Sequence, residues 1–148
     1  MERRQRPRVG DELGPLEQRI DQERMNEFAQ VSGSNGRIHL DPTFAVPRWG
    51  STLAQGMLVL DPICQLMICV CSLRGWLEHG RLEAKFVGYT RPGDTVTTRA
   101  TVEELSEQEG RTLITCRFQC ETQDGRTVIV GTARGALLEE TPGWRCPI

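Results

Sequence analysis

Two imidazoles and six thiols are the side chains of this 148-residue chain best suited to acid–base or metal chemistry. The cysteines stand at 64, 69, 71, 116, 120 and 146 and form no CxxC pair. With only His39 and His79 to join them, they lack the paired spacing of a zinc site, and no metal or cofactor is expected. Cys64, Cys69 and Cys71 fall in an apolar run, where a thiol packs as a small hydrophobe. His79 precedes Gly80 and fits the last turn of a helix, where the dipole favours a cation. His39 sits differently, in the polar stretch SGSNGRIHLDP over 32–42, close in sequence to Ser34, Asn35 and Asp41. There it is either an acid–base group or a hydrogen-bonded structural imidazole. Asp61, at the edge of the apolar run, reads as a cap rather than an acid.

The elements that must position these residues follow from pattern. The length suits one domain with a real core. A net charge of −2 gives no general attraction to nucleic acid or membrane, so any anion site must be built locally. Residues 1–8 carry four arginines and read as a basic, frayed arm without the apolar stretch of a secretory signal. A domain over 9–139 and a surface tail over 140–148 complete the division. The apolar run Met57–Leu73 is broken by Asp61, Pro62 and Gln65 and is shorter than the ~20 residues of a spanning helix. It is therefore expected to be a buried helix of a soluble, cytoplasmic protein with reduced thiols.

Leu16–Ile20 alternates as a short strand. Asp21 caps a helix through Met25, Phe28, Ala29 and Val31 that Gly33 ends. The 32–42 stretch is a loop, Thr43–Ala45 one helical turn, and Arg48–Ser51 another loop. The central helix either begins near Ala54 and bends at Pro62, or is capped by Asp61 with Pro62 first. Both versions bury Leu66, Met67, Val70 and Leu73, and residues 75–80 close the segment. From Arg81 the period changes to two. Four strands follow, with a turn at Arg91–Asp94 and hairpins at Gly110 and Asp124-Gly125. A curved antiparallel sheet around one long helix, an α+β arrangement, satisfies this order.

Three segments then carry a resemblance. Phe28-Ala29-Gln30-Val31-Ser32-Gly33-Ser34-Asn35-Gly36-Arg37-Ile38-His39-Leu40-Asp41 is similar to F-A-x-x-S-G-D-x-N-P-x-H-x-D. Trp49-Gly50-Ser51-Thr52-Leu53-Ala54-Gln55-Gly56-Met57-Leu58 is similar to F-G-x-x-I-A-H-G-M-L. Lys85 to Thr95 is similar to R-F-x-x-P-V-x-P-G-D-T, and Val9-Gly10-Asp11-Glu12-Leu13 matches a common start. Together they resemble the MaoC-like, (R)-specific enoyl-CoA hydratases.

The resemblance implies a hot-dog fold and a homodimer or a hetero-oligomer with another hot-dog subunit. It also implies an acyl-CoA or acyl-carrier-protein thioester substrate that gains or loses water across C2–C3. In that family an aspartate and a histidine five residues apart hold the water, and the glycine opening the helix supplies an oxyanion amide. Here those positions are Ser34, His39 and Gly56. Gly36 and Arg37 replace the family's asparagine and proline, Asn35 stands one place early, and Gln55 replaces a histidine. The implied catalytic residues are His39 and Ser34; Gly56, Asn35 and Gln55 are the implied oxyanion and substrate contacts.

Several readings of the missing carboxylate stay open. His39 acts alone with Ser34 and Asn35 orienting the water, or Asp41 substitutes for it. Otherwise the chain binds acyl thioesters without hydrating them, or supports an active partner. Thioester hydrolysis rests on fold analogy alone. Arg48, Arg74, Arg81 and Arg91 are either contacts for coenzyme A phosphates or a solvated face.

Overall fold

A computed structural model describes residues 6–139. Within it Asp21 accepts from the Arg24 amide at 2.8 Å and opens α1 (Gln22–Ser32), which Gly33 ends in the left-handed region at φ 78°. Ahead of α1 runs β1 (Glu12–Arg19). It extends further back than the alternating Leu16–Ile20 stretch because a register shift between Leu13 and Leu16 absorbs the break at Gly14-Pro15. The 32–42 stretch is not wholly loop, since Arg37–Leu40 forms α2. Next comes α3, which spans Pro42–Trp49 rather than one turn. The reason is an N-terminal signature: Asp41 caps the Thr43 amide at 3.0 Å and Pro42 takes the first position.

The buried helix α4 spans Gly56–Cys71 and runs through Pro62. It starts within two residues of the Ala54 version. Asp61 is not its cap but an exposed residue inside it, accepting from Gln65 one turn on. Leu66 and Met67 are buried, whereas Val70 and Leu73 are only half-buried. Ser72, at φ 75°, breaks the helix, and its hydroxyl accepts from the Gly75 amide at 3.1 Å. That cap starts a further helix, α5 (Leu73–His79), turned 114° from α4. Among the described residues no single helix is long and apolar enough to cross a membrane.

β2 (Arg81–Phe86), β3 (Thr95–Gln108), β4 (Arg111–Thr122) and β5 (Thr127–Leu137) follow. With β1 they make one antiparallel sheet in the order β1-β3-β4-β5-β2. The hairpins turn at Gly110 and Gly125, as the sequence indicates. The sheet's inner face, with Val96, Val102, Ile114, Phe118 and Ile129, closes on Leu58, Val59, Ile63 and Met67 of α4 in a single core. At Gly135 a Cβ would stand 2.7 Å from Cys71 Sγ, so glycine lets sheet and helix approach. Met67 is fully buried at that junction of helix and sheet. Met67→Ala is expected to cost about 2–5 kcal/mol in urea unfolding, against about 1 kcal/mol for Val70→Ala at its half-buried position.

Arg6 pairs with Glu107 at 3.1 Å and donates to Thr112, so the arm is anchored from that residue onward. The expectations for 1–5 and 140–148 lie outside the described residues. Burial pushes the Cys71 and Cys116 thiols up to about 12. Cys64, Cys71, Cys116 and Cys120 are free. The expectation of reduced thiols throughout is corrected at Cys69, which is disulfide-bonded.

Candidate functional site

The start of α4 leaves amide hydrogens without helical acceptors, as every helix start does. The Gln55 carbonyl takes the amides of Leu58 and Val59 at 3.1 and 3.3 Å. Those of Gly56 and Met57, two residues earlier, make no hydrogen bond among the described residues. The 16-residue length of α4 adds the positive end of its dipole at this place.

Gly56 and Met57 line a cavity of about 590 Å³. Its apolar walls come from Val59 of α4, from Phe86 and Val87 at the end of β2, and from Val128 and Ile129 of β5. His39, Tyr89 and Thr90 bring polar groups to it. Among the described residues, no Asp or Glu lines it.

The His39 ring is oriented by a contact of 2.7 Å between Nδ1 and the Leu53 carbonyl. A carbonyl only accepts, so Nδ1 is the donor, and in the neutral ring Nε2 holds the lone pair. Gly36 runs beside that edge: a side chain there would stand 3.6 Å from Cδ2 and 4.0 Å from Nε2. The backbone around the ring is tied in turn. The Gln22 amide donates to the His39 carbonyl at 2.9 Å, and Gln22 Oε1 accepts from the Thr52 hydroxyl at 2.6 Å. The Leu53 amide donates to Ile38 and that of Ala54 to Thr90, at 3.0 and 2.8 Å. Sequence reasoning missed Gln22. Its only signal was a place in the first turn after Asp21, which says nothing about a partner 17 residues on.

Thr90 is held by the turn that follows it. Asp94 is buried at the base of the turn and accepts from the Arg91 amide at 2.8 Å and from Gln123 at 2.9 Å. This accounts for the Pro-Gly-Asp sequence: the proline and glycine shape the turn, and the carboxylate fastens it.

Other singled-out residues lie elsewhere. Ser34 is half-buried, and its carbonyl accepts from Gln55 Nε2 at 3.3 Å. Asn35 is exposed. Neither is among the residues lining the cavity. Gln55 is buried below the helix start, where Nε2 also donates to the Met25 carbonyl at 2.9 Å. It thus fastens α1 and the 34 loop to α4. Its Oε1 is buried without a hydrogen-bond partner among the described residues. Asp41 is engaged as the α3 cap: the Thr43 hydrogen bond, then Arg37, hold its carboxyl below the usual range. That leaves no room for it as a substitute base at the cavity. Arg74 and Arg81 pair with Glu78 and Glu83 at 2.8 and 2.7 Å.

One helix held in a curved five-stranded antiparallel sheet, with a cavity at the helix start, is a hot-dog domain. The sequence profile of the MaoC like domain matches residues 5–124, and the chain belongs to that family. No curated protein is matched.

Among solved structures, the (R)-hydratase from A. caviae involved in PHA biosynthesis is 25% identical, with a TM-score of 0.76 over 90% of this chain and 99% of that one. The R-hydratase PhaJ1 from Pseudomonas aeruginosa is 22% identical, with a TM-score of 0.77 over 96% and 92%. The HadBC (3R-hydroxyacyl-ACP dehydratase) complex from Mycobacterium tuberculosis is 15% identical, with a TM-score of 0.69 over 86% and 96%.

Proposed function

We propose that this chain adds or removes water across C2–C3 of an acyl thioester, with His39 as the single acid–base group. The observation that carries the reading is one cavity lined both by an imidazole oriented through Nδ1 and by the start of a helix with two unengaged amides. Family membership and the likeness to (R)-hydratases support it.

In the hydration direction, Nε2 takes a proton from water as its oxygen bonds to C3. The electron pair of C2=C3 moves through C2 to the thioester oxygen, where the Gly56 and Met57 amides receive the charge. The imidazolium then returns its proton to C2. Hydrogen ends on C2 and hydroxyl on C3, and His39 is neutral again. Dehydration is the reverse. Gln55 holds the loop and helix start in register, and Ser34 and Asn35 carry no proton.

The test is loss of the enoyl thioester absorbance on incubation with crotonyl-CoA and longer 2-enoyl-CoAs, with chiral analysis of the product. Turnover giving the (R)-3-hydroxyacyl thioester is expected. Rates equal to buffer for every chain length would refute the reading.

A second reading is favoured by the absence of any carboxylate among the cavity's lining residues. In it the chain binds acyl thioesters, or supports an active hot-dog partner, without hydrating. Turnover by the native chain separates the two. If His39 works alone, crotonyl-CoA is hydrated; if the base is missing, the native chain is silent yet binds crotonyl-CoA in calorimetric titration. Ser34→Asp changes the rate by less than about tenfold in either case, because position 34 lies outside the cavity lining. In either case the chain pairs with a second copy or another hot-dog subunit. The apolar residues Met57, Val87 and Tyr89, each more than half exposed, lie at the rim that such a partner covers.

A further inference from the structure

Of the chain's six cysteines, five lie among the described residues, and they are of two kinds. Cys64, Cys71, Cys116 and Cys120 are free. Burial pushes all four of these thiols above the ordinary range, so little thiolate forms to enter disulfide exchange. Cys69 differs: it is half-buried on α4 and disulfide-bonded. A disulfide needs a second sulfur. With four thiols free, the cysteine of this chain left to supply it is Cys146.

The path of the chain permits that bond. β5 ends at Leu137, and the next amide, that of Leu138, donates to the Cys71 carbonyl at 3.2 Å. The chain therefore leaves the sheet beside the last turn of α4, which also carries Cys69. Cys146 follows Leu138 by eight positions, and eight extended residues span up to about 26–29 Å. Cys69 and Cys71 are about 3 Å apart along the helix axis. A disulfide asks for Cα atoms about 4.4–6.8 Å apart, so the length of chain after Leu138 reaches Cys69 with slack.

We infer that Cys69 and Cys146 form an intrachain disulfide that clamps the C-terminal segment to the end of α4. The inference does not rest on the acyl thioester reading. The closed loop runs over 69–146 and takes in α5 and all of β2, β3, β4 and β5. A loop of that length restricts the unfolded chain, so the bond stabilises the folded domain. Its formation from two thiols is a two-electron oxidation. With oxidised glutathione as oxidant, the Cys69–Cys146 bond forms as the glutathione disulfide breaks, and two glutathione thiols leave with the two electrons and two protons. A dithiol reductant reverses the exchange. The clamp is thus redox-sensitive, and it sits at the end of α4 away from the cavity-lining Gly56.

The experiment equilibrates the full chain with oxidised glutathione, blocks the remaining thiols with N-ethylmaleimide and maps the disulfides by peptide mass spectrometry. A peptide pair joined through Cys69 and Cys146 is expected, and it is lost on treatment with dithiothreitol. Cys69 joined to Cys69 of a second copy, held as a glutathione adduct or alkylated as a free thiol would overturn the inference. Thermal unfolding then reads the clamp. Dithiothreitol lowers the midpoint of the native chain by about 5–15 °C. Cys146→Ser lowers it equally, and reductant adds no further fall, whereas Cys64→Ser keeps the full response to reductant. Joined peptides with a midpoint that reduction leaves unmoved would overturn the clamp. A fall of native size on reducing Cys146→Ser would place the bond elsewhere and overturn the pairing.

Discussion

His39→Asn lowers turnover of crotonyl-CoA by about 10²- to 10⁴-fold, with KM changed only a few-fold and the unfolding midpoint unmoved. Asparagine places its side-chain amide where Nδ1 stands and can still donate to the Leu53 carbonyl that Nδ1 meets at 2.7 Å, so the loop keeps its anchor. What it lacks is a basic lone pair. With no carboxylate among the described lining residues, none of them replaces that lone pair. An effect on kcat with stability intact separates the acid–base role from a structural one. Activity within threefold of the native chain would assign the proton transfer to another group.

Gly56→Ala has the next largest effect, a loss of about 10- to 100-fold in kcat. An added Cβ would stand 2.6 Å from Phe86 Cε1 and 3.1 Å from Cδ1 and Cζ. Phe86 is 53% exposed, so its ring swings outward rather than straining the core, and stability falls by about 1 kcal/mol or less. The damage is local. The ring that walls the amides of Gly56 and Met57 leaves, water enters, and the thioester oxygen loses its fixed position. A double-variant cycle checks this account. Gly56→Ala costs much less in a Phe86→Ala background, because the clash is already gone. Independent, additive losses would show that the glycine matters for another reason.

The fold was legible in the sequence because its signals were local and repeated. The Asp21 cap, the Gly33 stop, the period change at Arg81 and the Asp124-Gly125 hairpin each specify one conformation, and each is found where expected. The reading fell short where two local signals competed. Asp41-Pro42 opens a helix of eight residues, but Pro47 inside it masked the length. Pro62 suggested a helix start, yet burial of Leu58, Val59 and Leu60 carries the helix across it.

The candidate site was legible only in part, because its geometry is non-local. The spacing of His39 and Gly56 was visible. What orients them was not: Leu53 O fixes the imidazole tautomer, Gln22 ties the His39 carbonyl, and Phe86 packs on Gly56. These contacts join segments that only the fold brings together. The same limit explains Ser34 and Asp41. Both are near His39 in sequence, but one is held against Gln55 and the other caps a helix.

A crystal structure of the native chain with bound (R)-3-hydroxybutyryl-CoA decides the central claim. The account predicts the thioester oxygen at about 3 Å from the Gly56 or Met57 nitrogen and the C3 hydroxyl within hydrogen-bond reach of His39 Nε2. An acyl group seated away from the start of α4, or an imidazole turned from the ligand, would contradict it.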